Sequence, residues 1–304
     1  MSGEPSEMKF EAKAGLKARA GSAALALGYY ALAFVILIIA STIGRSVTGQ
    51  TLTAQLQDGL AAALLGHLML LVSLALLPTL AMLVFTRGKF SLSGWSLDGW
   101  AKRFGLGAVL GLGLMGLIGG LLAGLGMLRI EPHTISASAM AVMALSWLAV
   151  WLVQSMHEEA LARGYGFIQA TQALGFWPAA ILSSLAFGAG HLANAGESPL
   201  GLINAGLFGF ALVYSLKRTG SLWLAWGFHG AWNFSQSTLF GFSNSGAASH
   251  AALVHTTVLG EPLLTGGDVG PEGSVLASAA ALLLMITVHF SFPARAPMIA
   301  SSQA

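Results

Sequence analysis

The sequence predicts an all-α fold, a polytopic transmembrane helical bundle of about eight spans, on three observations. Of 304 residues, 55% are hydrophobic and only 9% charged, whereas a soluble globular domain carries roughly a quarter charged residues. The apolar residues come in long runs such as 22–43, 59–85 and 104–128, each matching the ~20 residues that a membrane-spanning helix needs. The few basic residues stand between the runs, mostly on alternate connections, as the positive-inside bias requires.

Taken in order, the N-terminal tail over 1–21 holds Lys9, Lys13, Lys17 and Arg19 with Glu4, Glu7 and Glu11, and is read as a cytoplasmic segment. The apolar run after it is too long for a signal-peptide core and is read as a retained span. Hydropathy set against charge and turn signals gives helices near 22–43, 60–86, 104–128, 137–161, 177–194, 199–216, 221–240 and 275–292. The third run is dense in glycine, including Gly107, Gly111, Gly113 and Gly119. That density permits close helix approach in lipid and puts the helix's straightness in question. The stretch 241–274 mixes Gly, Ser, Pro and acidic residues and reads as one long non-membrane loop. The chain divides accordingly into the tail 1–21, N-terminal helices over 22–136, a polar-bearing core over 137–240, the loop 241–274, and a last helix with a C-terminal tail over 275–304.

Odd-numbered connections hold only Arg45 and Arg129 as basic residues. The other side holds Arg87, Lys89, Lys102, Arg103, Arg163, Lys217, Arg218 and Arg295. Both termini are therefore expected in the cytoplasm and the loop 241–274 on the opposite, non-cytoplasmic side. The net charge of +2 is scattered rather than clustered, so no nucleic-acid partner is expected. With no cysteine in the chain, disulfides, thiolate metal ligands and a cysteine nucleophile are excluded.

Ionisable groups inside hydrocarbon are costly and usually face a cavity. Here they gather in the second half. The fourth run closes on His157-Glu158-Glu159-Ala160-Leu161-Ala162-Arg163. Glu159 and Arg163 are four apart and share a helical face, while Glu158 projects about 100° away. One carboxylate can thus be neutralised by arginine and the other left free. His191 stands in Phe187-Gly188-Ala189-Gly190-His191 within the fifth run, and His229 and Asn233 share a face in His229-Gly230-Ala231-Trp232-Asn233. A converging Glu, two His and Asn can bind and deprotonate a water, directly or through a metal ion. Taken singly, each also fits a packing histidine or a solvated helix-end carboxylate; the joint occurrence on three helices favours the site. His67 and His289 are read as interfacial or helix-packing groups, and His133, His250 and His255 as loop residues at the surface.

These three segments resemble the signature of the CAAX protease and bacteriocin-processing (CPBP, or Abi) family of intramembrane peptidases: Glu-Glu-x-x-x-Arg, Phe-x-x-x-His and His-x-x-x-Asn in that order, over about 80 residues. The resemblance implies that 137–240 is the catalytic core of an intramembrane endopeptidase with a cavity open to the cytoplasmic side. It further implies Glu158 as general base, His191 as its partner in holding water, His229 and Asn233 as ligands of the substrate carbonyl or oxyanion, and Arg163 as the residue that fixes Glu159 or the helix geometry. The division between Glu158 and Glu159 stays open, and both are taken as candidate catalytic residues. His-Glu-x-x-His is not present, because Leu161 stands at the second histidine position. Zinc held by Glu158, His191 and His229 is permissible by ligand type, but it would occupy the residue best placed as base, so a metal-free mechanism is preferred to the metalloprotease one. Asp58, Asp98 and Asp268 all fall in connections, so a paired-aspartate mechanism lacks its residues. The rival readings are a transporter or channel with a buried Glu/His/Arg pathway, and a catalytically silent scaffold or immunity protein. The expected partners are the lipid bilayer and a peptide or membrane-protein substrate.

Overall fold

The computed structural model describes residues 15–293 except 195 and 250, and leaves out the side chains of 55 and 57. Most of the N-terminal tail, Arg295, His250 and the end of the C-terminal tail lie outside the described residues.

The chain folds as an all-α bundle. Helix α1 (Leu16–Thr48) ends where Gly49 takes a left-handed conformation at φ 73°. The short α2 (Leu52–Gln57) leads into α3 (Leu60–Thr86), which carries a π turn over Leu71–Leu76 just ahead of Pro78. A proline inside a helix removes an N–H and crowds the preceding turn, and the π turn accommodates it. Helix α4 (Trp100–Gly124) is followed by strand β1 (Leu128–Pro132), then by α5 (Ala137–Arg163) and α6 (Tyr165–Leu174). Next come α7 (Phe176–Ala189), α8 (Pro199–Thr219), α9 (Trp223–Asn233, continued by a π turn Phe234–Leu239), strand β2 (Val254–Val258) and α10 (Val275–Ser291). Five segments are long and apolar enough to cross a membrane: α1, α3, α4, α5 with α6, and α8. Two shorter apolar helices, α7 and α10, join them, and α9, of eleven residues, stands where the hydropathy predicts a seventh span.

The glycines of α4 explain its tightest contact. A Cβ at Gly107 would stand 2.2 Å from the Leu224 carbonyl, and one at Gly111 2.4 Å from that of Phe228, while one at Gly227 would stand 2.2 Å from that of Phe104. Backbones approach this closely only where side chains are missing, the usual device of membrane helix pairs. The helix stays unbroken from Trp100 to Gly124. The core between α4, α8, α9 and α10 is filled by Met115, Leu122, Leu212, Leu224, Phe228 and Leu284.

Three expectations need correction. The fourth span does not stop near 161: α5 bends at Gly164, where a Cβ would meet the Ala160 carbonyl at 2.2 Å, and α6 completes the crossing. Arg163 is consequently a fully buried residue rather than a loop cation, and it leaves the charge count of the connections. Arg19 Nε donates to the Ala173 carbonyl (2.8 Å), and the rings of Tyr29 and Tyr165 lie 5.6 Å apart. Helix α6 therefore runs antiparallel to α1, and the α5–α6 junction sits at the level of Tyr29, about 20 Å along α1 at ~1.5 Å per residue. The first helix also begins at Leu16 rather than 22. Finally, 241–274 is no plain loop. Its strand β2 pairs antiparallel with β1, Leu128 opposite Val258 through Pro132 opposite Val254, and Phe242, Val269 and Ser274 are buried beneath it. The pairing puts the α4–α5 connection and this segment at one end of the bundle.

Candidate active site

Glu159 is fully buried, as is Arg163. Arg163 Nη1 donates to Glu159 Oε1 at 2.6 Å, and its guanidinium lies 4.5 Å over the Phe187 ring from α7. The i, i+4 spacing on α5 makes the ion pair, and the aromatic face supplies a second contact for the cation. His229 of α9 brings Nδ1 to the same Oε1 at 2.8 Å. An ionised carboxylate only accepts, so Nδ1 carries the hydrogen and the ring turns Nε2 outward. That Nε2 stands 3.7 Å from Glu158 Oε2.

Glu158 has a different environment. It is partly exposed, at 26% of its side chain, and lines a cavity of about 610 Å³ together with Gln154, His191, His229 and Asn233. Gln154, one turn earlier on α5, donates from Nε2 to Glu158 Oε1 and accepts from Asn233 Nδ2 at 2.8 Å. Gln154 is a residue of the candidate site that sequence reasoning missed. Its spacing of four before Glu158 is the signal that could have found it. The site is thus a chain of contacts, Arg163 to Glu159 to His229 on one side and Asn233 to Gln154 to Glu158 on the other, with α5 and α9 holding the two carboxylates apart in role.

His191 is placed just past the end of α7 rather than within a span. Its Nδ1 contacts the Phe187 carbonyl at 2.8 Å. A carbonyl accepts, so Nδ1 donates and Nε2 is left as an acceptor on a ring that lines the shared cavity. The Phe187 ring lies 5.1 Å from that of His191 and 6.3 Å from that of His229, so one phenylalanine braces both imidazoles and the arginine. Elsewhere, His67 on α3 meets His157 on α5 (Nδ1 to Nε2, 3.2 Å), and His289 meets the Tyr214 hydroxyl at 2.7 Å. His255 lies in β2 with its ring 4.1 Å from that of His133, so it is a strand residue.

The imidazoles have the outer partners usual for metal ligands, a carboxylate on His229 and a carbonyl on His191. The inner donors do not gather as a metal site. Among the described residues no three His, Asp or Glu side chains come together as one, and the imidazole that approaches Glu158 is that of His229, at 3.7 Å. The donor set as it stands does not fit the three-ligand zinc site.

The cavity also runs a long way from Glu158. Its wall includes Thr53 and Leu56 of α2, Asn194, and Asn244, Ser245 and Glu272 of the segment 241–274. In the orientation expected from charge this part of the wall stands at the non-cytoplasmic end.

Residues 139–235, about a third of the chain, match the family model described as type II CAAX prenyl endopeptidase Rce1-like. The match spans α5 to the start of the π turn after α9 and contains all three signature segments. No curated protein and no solved structure matches the chain.

Proposed function

We propose that this chain, whose segment 139–235 belongs to the Rce1-like family of membrane endopeptidases, hydrolyses peptide bonds within the membrane by a water that Glu158 activates. The observation that carries the reading is the unequal treatment of two adjacent carboxylates. Glu159 is spent on Arg163 and His229, whereas Glu158 keeps Oε2 toward the cavity and His229 Nε2. In this mechanism 137–240 is the catalytic unit. A water rests between Glu158 Oε2 and His191 Nε2, each accepting one of its hydrogens. Glu158 takes the proton as the oxygen attacks the scissile carbonyl carbon, and later passes it to the leaving nitrogen. The oxyanion is met by the second Nδ2 hydrogen of Asn233 and by His229 Nε2 when that nitrogen is protonated. Glu159, Arg163 and Gln154 position these groups and touch no substrate. No step runs through a metal.

The test is cleavage of membrane-peptide substrates by the purified full chain in lipid nanodiscs. Glu158→Gln keeps the acceptor for Gln154 and removes the base, so activity falls by about 100- to 10 000-fold, the usual worth of general acid–base catalysis. Activity persists after exhaustive chelation. Cleavage by Glu158→Gln at the parent rate would sink the reading, and stoichiometric zinc whose removal ends activity and whose return restores it would replace the base with a metal.

A further inference from the structure

The cavity changes character away from Glu158. At the end where 241–274 packs, its wall includes Glu197, just before α8, and Glu272, just before α10, and among the described residues no lysine or arginine lines the cavity. Neither carboxylate belongs to an ion pair among the described residues. Each is held in place by neutral donors: Glu272 Oε2 accepts from Ser245 N (2.8 Å) and Oγ (3.0 Å), and Glu197 Oε1 accepts from Ser198 N (2.8 Å). These bonds orient the charges without balancing them.

A second observation points to a ligand. Ser237 is 2% exposed, lines the same cavity, and its Oγ has no hydrogen-bond partner among the described residues. Buried hydroxyls are normally paired, so an unpaired one on a residue of the cavity wall lacks a partner that the described residues do not supply. The neighbouring contacts bring these groups to one end. Gln236 Nε2 donates to the Ser243 carbonyl (2.6 Å) and Ser249 Oγ to that of Ser237 (2.7 Å). Asn204 of α8 donates to the Glu272 carbonyl at 2.7 Å. A Cβ at Gly196 would touch Asp268 Cβ at 3.2 Å. The π turn after α9, the start of α8 and the segment 243–272 therefore close over one another there.

We propose that this acidic end is a subsite for a cationic group of the peptide substrate, either a lysine or arginine side chain or a free α-amino group. The nature of the ligand as a peptide rests on the peptidase reading above. Carboxylates held only by neutral donors leave negative charge in the cavity wall that a cation joining them would balance. An ammonium offers three N–H donors, and the wall offers two carboxylates and the Ser237 hydroxyl, with Asn244 Nδ2 also unpaired among the described residues. Binding there holds one end of the chain while Glu158 acts on a bond further along.

The test uses the full chain bearing Glu158→Gln in lipid nanodiscs, so that binding is read without cleavage. The probes are fluorescent apolar decapeptides of three kinds: N-acetylated with one lysine at each position in turn, N-acetylated with norleucine in its place, and norleucine with a free amino terminus. At low ionic strength one cationic kind binds about tenfold more tightly than the neutral peptide, and which one does so tells a side chain from an amino terminus. Adding Glu197→Gln and Glu272→Gln, which keep the acceptors for Ser198 and Ser245, removes that difference and leaves the neutral peptide's affinity unchanged. Equal binding of all three kinds, or a preference that survives both substitutions, overturns the subsite. Charge-dependent binding with no cleavage of any probe by the parent chain would instead count against the peptidase reading and leave the subsite standing.

Discussion

At Glu159 a fully buried carboxylate receives two donors on one oxygen, Arg163 Nη1 and His229 Nδ1. Removing the arginine leaves that carboxylate buried beside an imidazole alone, and breaking a buried pair from one side typically costs about 3–5 kcal/mol. Arg163→Ala is therefore expected to lose folded protein, read as a fall in monodisperse yield and thermal stability, whereas Glu158→Gln keeps both. Equal yields for the two variants would contradict the separation of roles. That separation was partly legible beforehand, because i, i+4 spacing alone pairs Glu159 with Arg163. Gln154 was legible only in its spacing of four before Glu158; its bond to Asn233 on another helix was not. The stacking of His67 on His157 was hidden for the same reason: their helices are joined by contacts that no local pattern records.

At the level of elements, hydropathy located the five span-length helices and the shorter apolar α7 and α10 because the bilayer demands length and composition that the sequence shows directly. It misjudged the end of α5, because the polar stretch 154–163 reads as the end of a span although helix resumes beyond it as α6. The bend at Gly164 depends on the approach of the Ala160 carbonyl, a property of the folded turn. Strands β1 and β2 were equally invisible, being short, mixed in polarity and far apart in the chain. The crossing of α4 with α9 gives an element-level test. Gly111→Val puts a side chain where the Phe228 carbonyl stands, whereas Gly113 faces open space with nothing within 4 Å. Overpacking costs about 1–3 kcal/mol, so Gly111→Val should lower the thermal midpoint and disturb His229 and Asn233 on α9, while Gly113→Ala should leave both stability and cleavage unchanged. A midpoint for Gly111→Val equal to the parent's would contradict the close approach.

For the whole molecule, the pairing of β1 with β2 requires 128–132 and 254–258 to share one side of the membrane. The basic residues, now without Arg163, still favour a cytoplasmic location for both termini, so reporter fusions within 245–270 should behave as non-cytoplasmic. A cytoplasmic reporter there would invert the bundle and with it the side to which the acidic end of the cavity faces. That side decides which end of a membrane substrate enters the cavity, while the family match and the Glu158 geometry bear on what happens to it inside. The central claim, peptide hydrolysis by a Glu158-activated water, is met most directly by enriching new peptide termini from membranes of cells expressing either the intact chain or Glu158→Gln. The account predicts termini within or beside membrane segments that appear with the intact chain and are missing with the variant, their precursors accumulating uncut. Identical sets of termini from both cells would contradict it.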